Sequence, residues 1–302
     1  MNVYMQYGDA SEKLSFDRWN YGFIGTCLDD RGKEAINFLN NNTEKTVVIE
    51  YDPRNYIINI DGIDYPVDSV DEYFYEILNS ESKIAIDCTT IGVPELFILM
   101  QILNDIQIKK MDVIYLEPEC YKNNKNKIHS KRDFELSKGF EGYIGIPGHT
   151  LSISTDNKDK VAFLCGYESE RVERAFEDLN LKGENSQLFF GVPAFHSGWE
   201  MNSFSNNIRV IDDRNLNRNF YFCGASNPLA VNDKLSLIYR GLSSDERLFI
   251  VPIGTKPMAL GACIFKICTN DNERIAILYD HPLKTEGRSS KVSRWNLYNI
   301  SL

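Results

Sequence analysis

No two cysteines stand in a CxxC arrangement, and the count of seven is odd. Cys27, Cys88, Cys120, Cys165, Cys223, Cys263 and Cys268 are scattered, several inside apolar runs such as Ala262-Cys263-Ile264. That pattern reads as free thiols in a reducing compartment, not as a disulfide frame. Histidine is scarce, and His129, His149, His196 and His281 show no ligand spacing. Neither a metal nor any other cofactor is expected. Long apolar runs are missing too: the run at 93–103 is broken by Glu95 and Gln101. It is far short of the roughly 20 residues a membrane span needs. Residues 1–6 have no basic stretch leading into an apolar one, so no signal peptide is expected and the location is read as cytoplasmic. Positive charge is in deficit, with 33 Lys and Arg against 43 Asp and Glu, a net charge of −10. A long nucleic acid is disfavoured as a partner. A small phosphorylated ligand, which needs only a local basic pocket, is not.

What is present is a repeat. Residues 23–40 align without a gap on residues 163–180. Phe23/Phe163, Arg31/Arg171, Ala35/Ala175, Leu39/Leu179 and Asn40/Asn180 are identical, and Asp30/Glu170 keeps its charge. Each copy reads as strand, glycine-containing loop and amphipathic helix. A second pair, 83–99 and 247–262, runs strand, small-residue loop and apolar helix, with Pro94 and Pro257 suited to a first helical turn. A third pair is polar: Lys122, Lys125, Lys127, Lys131 and Arg132 in one stretch, Lys284, Arg288, Lys291 and Arg294 in the other. Both read as exposed loops, each ending in a short apolar segment.

Strands alternating with helices predict an α/β fold with mostly parallel sheets and helices on both faces. The expectation is two Rossmann-like halves from an internal duplication, 1–150 and 151–302, packed closely with a ligand pocket between them. One segment has no counterpart in the second half: residues 55–65 read as a hairpin turning at Asp61-Gly62.

Open α/β sheets bind ligands beyond the carboxyl ends of their strands. Four loops fall there: 26–30, 89–93, 166–170 and 253–257. In the last, Gly254 permits close approach, Thr255 offers a hydroxyl and Lys256 a charge, at the positive end of a helix. That combination suits a phosphate; equally, it is what a tight turn with a solvated lysine looks like. Neither GxxxxGK[ST] nor GxGxxG occurs, so a P-loop and a dinucleotide fingerprint are excluded. GxSxG is absent as well.

The run Ile253-Gly254-Thr255-Lys256-Pro257-Met258-Ala259-Leu260 resembles the G-T-K-x-M loop of CRISPR-associated Rossmann fold (CARF) domains. The resemblance implies a sensor of cyclic oligoadenylates in antiviral defence, acting across a twofold interface. It also implies that the first-strand loops contribute to the site, here with Thr26 and Gly166. The chain departs from the family pattern at Ile253, where a second glycine often stands. It departs again in the first half, where Thr89-Thr90-Ile91-Gly92 replaces Gly-Thr-Lys and leaves Thr90 as the matching hydroxyl. Two halves are expected to fill the chain, giving a bare sensor or a subunit that signals to a protein partner or a second copy.

The remaining candidates each have more than one reading. His196, with Glu200 or Glu168, could act in acid/base catalysis or stack near a ligand base beside Trp199, or it could be a plain polar loop residue. Asp29, Asp30 and Glu168 could accept ribose hydroxyls or simply suit a helix start. Arg31 and Arg171 could clamp phosphate or pair with acids one turn away. Arg288 and its basic neighbours could fold over a phosphorylated ligand or lie solvated. The leading functional expectation is a cytosolic sensor of a nucleotide or cyclic oligonucleotide. The alternatives are a nucleotide hydrolase on the same scaffold and a non-catalytic subunit of a larger defence complex.

Overall fold

A computed structural model describes residues 2–122, 134, 136–153, 158–216 and 219–302. Lys125, Lys127, His129, Lys131 and Arg132, and part of the expected boundary between the halves, lie outside the described residues. In chain order the elements begin with β1 (Asn2–Gly8), β2 (Trp19–Ile24), α1 (Asp30–Asn42), β3 (Thr43–Asp52), β4 (Ile57–Ile60) and β5 (Ile63–Pro66). Next come α2 (Val70–Ile77), β6 (Ile84–Asp87), α3 (Val93–Asp105), β7 (Lys110–Tyr121), β8 (Ser137–Phe140), β9 (Lys160–Leu164) and α4 (Ser169–Asp178). Then follow β10 (Ser186–Gly191), α5 (Trp199–Asp213), β11 (Phe220–Cys223), α6 (Pro228–Arg240), β12 (Leu248–Pro252) and α7 (Lys256–Thr269). The chain finishes with β13 (Ile275–Ile277), β14 (Pro282–Lys284) and β15 (Ser289–Ser301). These elements form two units: unit 1 is Met1–Lys122 with Thr285–Leu302, and unit 2 is Asn123–Lys284.

Unit 1 carries one eight-stranded sheet in the order β1-β15-β7-β6-β2-β3-β4-β5. Only β7-β6-β2-β3 pair in parallel. The expected mostly parallel sheet is therefore mixed here, for two local reasons. The turn after β3, which ends on Tyr56 at φ 54°, folds β4 back antiparallel onto β3, and the turn at Asp61 and Gly62 (φ 51° and 87°) folds β5 back onto β4. On the other side β15 runs antiparallel to both β7 and β1. Helix α1 is opened by the Asp29 carboxylate, which accepts the Gly32 N–H, and it buries Ala35 and Leu39 against Trp19, Ile114 and Leu297. Helix α3 is buried nearly all round, through Leu96, Phe97, Leu99, Met100 and Leu103, as an apolar helix without a polar stripe must be. Each such side chain contributes roughly 1.5–3 kcal/mol by leaving water.

Unit 2 carries a five-stranded, wholly parallel sheet in the order β11-β10-β9-β12-β13. Counted from β9 this is 3-2-1-4-5, the order of Rossmann-type sheets. Its core is aromatic, with Phe163, Phe176, Phe190 and Phe249 all at most 2% exposed. Beside β13 the segment 137–149 runs antiparallel. Strand β8 pairs with β14, the Ile144 N–H donates to the Tyr279 carbonyl at 3.2 Å, and the Ile277 N–H donates to the His149 carbonyl at 2.8 Å. Residues 137–149, expected to close the first half, thus belong to unit 2. Strand β15, expected to close the second, belongs to unit 1. The basic run at 284–294 is not one loop: Lys284 ends β14, while Lys291 and Arg294 lie in β15. Among the described residues no helix is long and apolar enough to cross a membrane.

Candidate functional site

In unit 2 the strand order reverses between β9 and β12, which places the candidate site at the loops leaving those two strands. The loops cross at van der Waals distance. A Cβ on Gly166 would lie 2.7 Å from the Ile253 carbonyl oxygen, and one on Gly254 would lie 2.8 Å from that of Cys165. The two glycines are therefore demanded by the chain's own backbone. The close approach expected of Gly254 toward a ligand is made by β9 instead. Thr255 is likewise engaged. Its hydroxyl donates to the Ala225 carbonyl at 2.6 Å and accepts the Met258 N–H at 3.4 Å, capping α7. The Ala225 N–H in turn donates to the Pro193 carbonyl at 2.9 Å, so the loops after β10, β11 and β12 are laced together. Lys256 opens α7 and is half-buried.

The β9 loop is held from the other side by α5, through residues that the sequence did not single out. Ser203 Oγ and Asn207 Nδ2 donate to the Gly166 carbonyl at 2.8 and 3.2 Å, and Asn206 Nδ2 donates to that of Tyr167 at 2.8 Å. Serine and asparagine four apart on one helix face, buried among apolar residues, were the available signal.

Both repeated arginines are buried structural groups. Arg171 donates from Nε and Nη2 to the two oxygens of Asp280 at 2.8 and 2.5 Å, and from Nη1 to the Ile253 carbonyl at 3.4 Å. Its guanidinium also lies over Tyr279 and Phe140, with Glu168 3.7 Å away. Burial disfavours its charge, but Asp280 outweighs that and raises the pKa. In unit 1, Arg31 donates to Ser289 Oγ at 2.8 Å, the Leu116 carbonyl at 3.0 Å and Asp29 Oδ2 at 3.0 Å. Burial opposes the Asp29 charge, while Arg31, the Ser289 hydroxyl and the Gly32 amide together hold the carboxyl below its ordinary range. With every donor direction turned inward, neither arginine is presented as a phosphate clamp.

The acid/base candidates each have protein partners of their own. Glu168 is buried, accepts the Ser137 hydroxyl and faces Arg171. Glu200 accepts the Gly198 N–H at the start of α5. His196 packs on Trp199 with ring centroids 4.5 Å apart. Asp30 lies 3.7 Å from Lys33 on the outer face of α1.

The matching loops of unit 1 are occupied by carboxylates. Thr26 Oγ1 donates to Glu50, and Thr90 Oγ1 donates to Asp87 while accepting the Gly25 N–H at 2.9 Å. At the start of α3 the Glu95 carboxylate folds over Gly92 and accepts the Tyr51 N–H at 3.1 Å. Burial, Tyr56 and Glu95 push the Tyr51 hydroxyl up to about 12. An anion at this helix end would meet Glu95 first. Arg288 is tied in through its backbone, its carbonyl accepting the Lys122 N–H at 2.9 Å. All seven cysteines are free, and among the described residues no three His, Cys, Asp or Glu side chains are placed to hold a metal.

No family model matches the chain, and no curated protein is significantly similar to it.

Proposed function

We propose that unit 2 is a binding module for a phosphorylated small ligand, a nucleotide or short cyclic oligonucleotide, and that the chain acts as its sensor. What carries this is the start of α7. In a 3-2-1-4-5 parallel sheet the helix after the fourth strand opens at the switch point, and here it opens on Lys256. The helix dipole and the lysine charge favour an anion at the same place. Gly166, Gly254 and Thr255 serve this site by fixing the turn. The resemblance to the CARF loop favours a nucleotide over other phosphates, and with it a role in cytosolic antiviral defence. The groups that catalysis would draw on are engaged elsewhere, which favours sensing with the signal passed to a protein partner or a second copy.

Unit 1 fits as a diverged duplicate. Its parallel core β7-β6-β2-β3 has the same order as β13-β12-β9-β10. Both cores place an inward arginine on the first turn of the first helix, and both set a glycine against the crossing loop. Glu50 and Glu95 then mark a copy that has given up anion binding.

The test is calorimetric titration and thermal shift with mononucleotides, dinucleotides and cyclic oligonucleotides, on the native chain and on Lys256→Ala. A ligand that binds the native chain should bind the variant at least tenfold more weakly, about 1.4 kcal/mol. Unchanged affinity would remove the site from α7, absence of binding would refute the module, and turnover of the bound nucleotide would make it an enzyme.

A further inference from the structure

Unit 1 carries a groove of its own. The segment leading into β2 runs alongside α1 and leaves an open groove of about 500 Å³. Its floor is aromatic. Phe38 meets Phe16 and Trp295 edge-on, each at 5.2 Å, and Phe16 stacks on the buried Trp19 at 4.5 Å. Phe16 and Phe38 remain half-buried, so this aromatic surface is still available. The rim carries Glu12 and Glu34 together with the Asn41 amide. Among the described residues, no lysine, arginine or histidine lines the groove. Partial burial, and after it the nearby Asp30 charge, raise the Glu34 carboxyl.

This chemistry selects by sign. A phosphate or carboxylate would be repelled by both glutamates. A neutral group would gain from the aromatic floor and could hydrogen-bond at the rim, but it would gain no ionic attraction there. A cation gains from both, since ring faces and carboxylates attract it together. The volume suits one long side chain with its flanking backbone. The chain's net charge of −10 also draws basic partners toward it. We propose that this groove receives an arginine or lysine side chain presented by a basic segment of a partner protein.

The probe is a seven-residue peptide of glycine and serine with one central arginine, compared with its citrulline counterpart, which keeps the shape and loses the charge. Tryptophan fluorescence follows the titration, since Trp295 lines the groove. The arginine peptide should bind at least tenfold more tightly than the citrulline peptide. Glu34→Gln, on the exposed face of α1, should weaken it at least fivefold, as should Phe38→Leu. Glu72→Gln, an exposed carboxylate on α2 outside the groove, should leave it unchanged. Equal binding of the citrulline peptide, no binding of either, or full affinity in Glu34→Gln would each overturn the proposal. None of these outcomes depends on Lys256, so this site and the nucleotide site succeed or fail separately.

Discussion

Replacing Arg171 by methionine tests whether the repeated arginine holds the fold or the ligand. Arg171 and Asp280 are 6% and 1% exposed, and two short charge-assisted hydrogen bonds join them. Methionine keeps much of the arginine stem but leaves the Asp280 carboxylate buried without those two donors. Hydrogen bonds to charged groups are worth about 1.5–3 kcal/mol each, and breaking one partner of a buried pair costs about 3–5 kcal/mol. The expected loss is about 4 kcal/mol, a large share of the roughly 5–15 kcal/mol that holds a typical protein folded. Urea denaturation followed by circular dichroism measures it, and hydrogen exchange at the β9 and β12 amides assigns it to unit 2. Asp280→Leu added to Arg171→Met should recover much of the loss, because an apolar pair leaves no unpaired charge. A single-variant cost below about 1 kcal/mol, or strict additivity in the double variant, would refute the buried-pair account. An arginine kept for a ligand would show a loss of affinity with stability unchanged.

Two more expectations follow from the same contacts. Asp29→Asn keeps an α1 cap but removes the charge beside Arg31. Since the folded carboxyl is depressed, its contribution is full above the unfolded value near 4 and fades as pH falls through the folded value. The stability gap between native and variant proteins should thus be largest at pH 7 and shrink below about pH 4, read from urea midpoints across pH. Gly254→Ala would place a methyl group 2.8 Å from the Cys165 carbonyl oxygen and should cost about 2 kcal/mol by denaturation. Gly62→Ala, at φ 87° but with open space around it, should cost only about 1 kcal/mol.

The sequence carries the α/β class, because apolar periodicity reports elements one at a time. It carries the β2–α1 and β9–α4 units through the shared Phe, Arg, Ala and Leu positions, and the hairpin through Asp61-Gly62. Pairing direction is another matter. Nothing in Trp295-Asn296-Leu297-Tyr298 says that its strand runs antiparallel to β7. The first residues of β15 read as a loop because β1 reaches only as far as Trp295. Beyond that point β15 is flanked by β7 alone, and charged side chains are tolerated there as on any edge. The partner of Arg171 is hidden for a similar reason, since Asp280 lies 109 residues away. In the candidate site, Gly254 and Thr255 were visible as special residues, but a glycine looks the same whether a ligand or a backbone carbonyl approaches it.

The exchange of closing segments has its own consequence for where the chain can be cut. A head-to-tail duplication would put a natural break near residue 150. In the structure such a break removes β15 from unit 1, where it is the pairing partner of β1. It also separates residues 137–149 from β13 and β14. Each fragment would expose the edge strands that its missing segment covers, and exposed edges aggregate. Unit 2, by contrast, is one continuous insertion between β7 and β15. Tyr121 already pairs with Ser289, and the Lys122 N–H already bonds to the Arg288 carbonyl at 2.9 Å. Joining Lys122 directly to Thr285 leaves residues 285–287 as a tight hairpin connection, with Gly287 already at φ 61°. Deleting residues 123–284 should therefore give a soluble, cooperatively unfolding unit 1 with protected amides in β2, β6 and β7, while the 1–150 fragment should aggregate. A soluble, cooperative 1–150 fragment beside an unfolded deletion variant would mean that the segments close their own halves and that this pairing is mistaken.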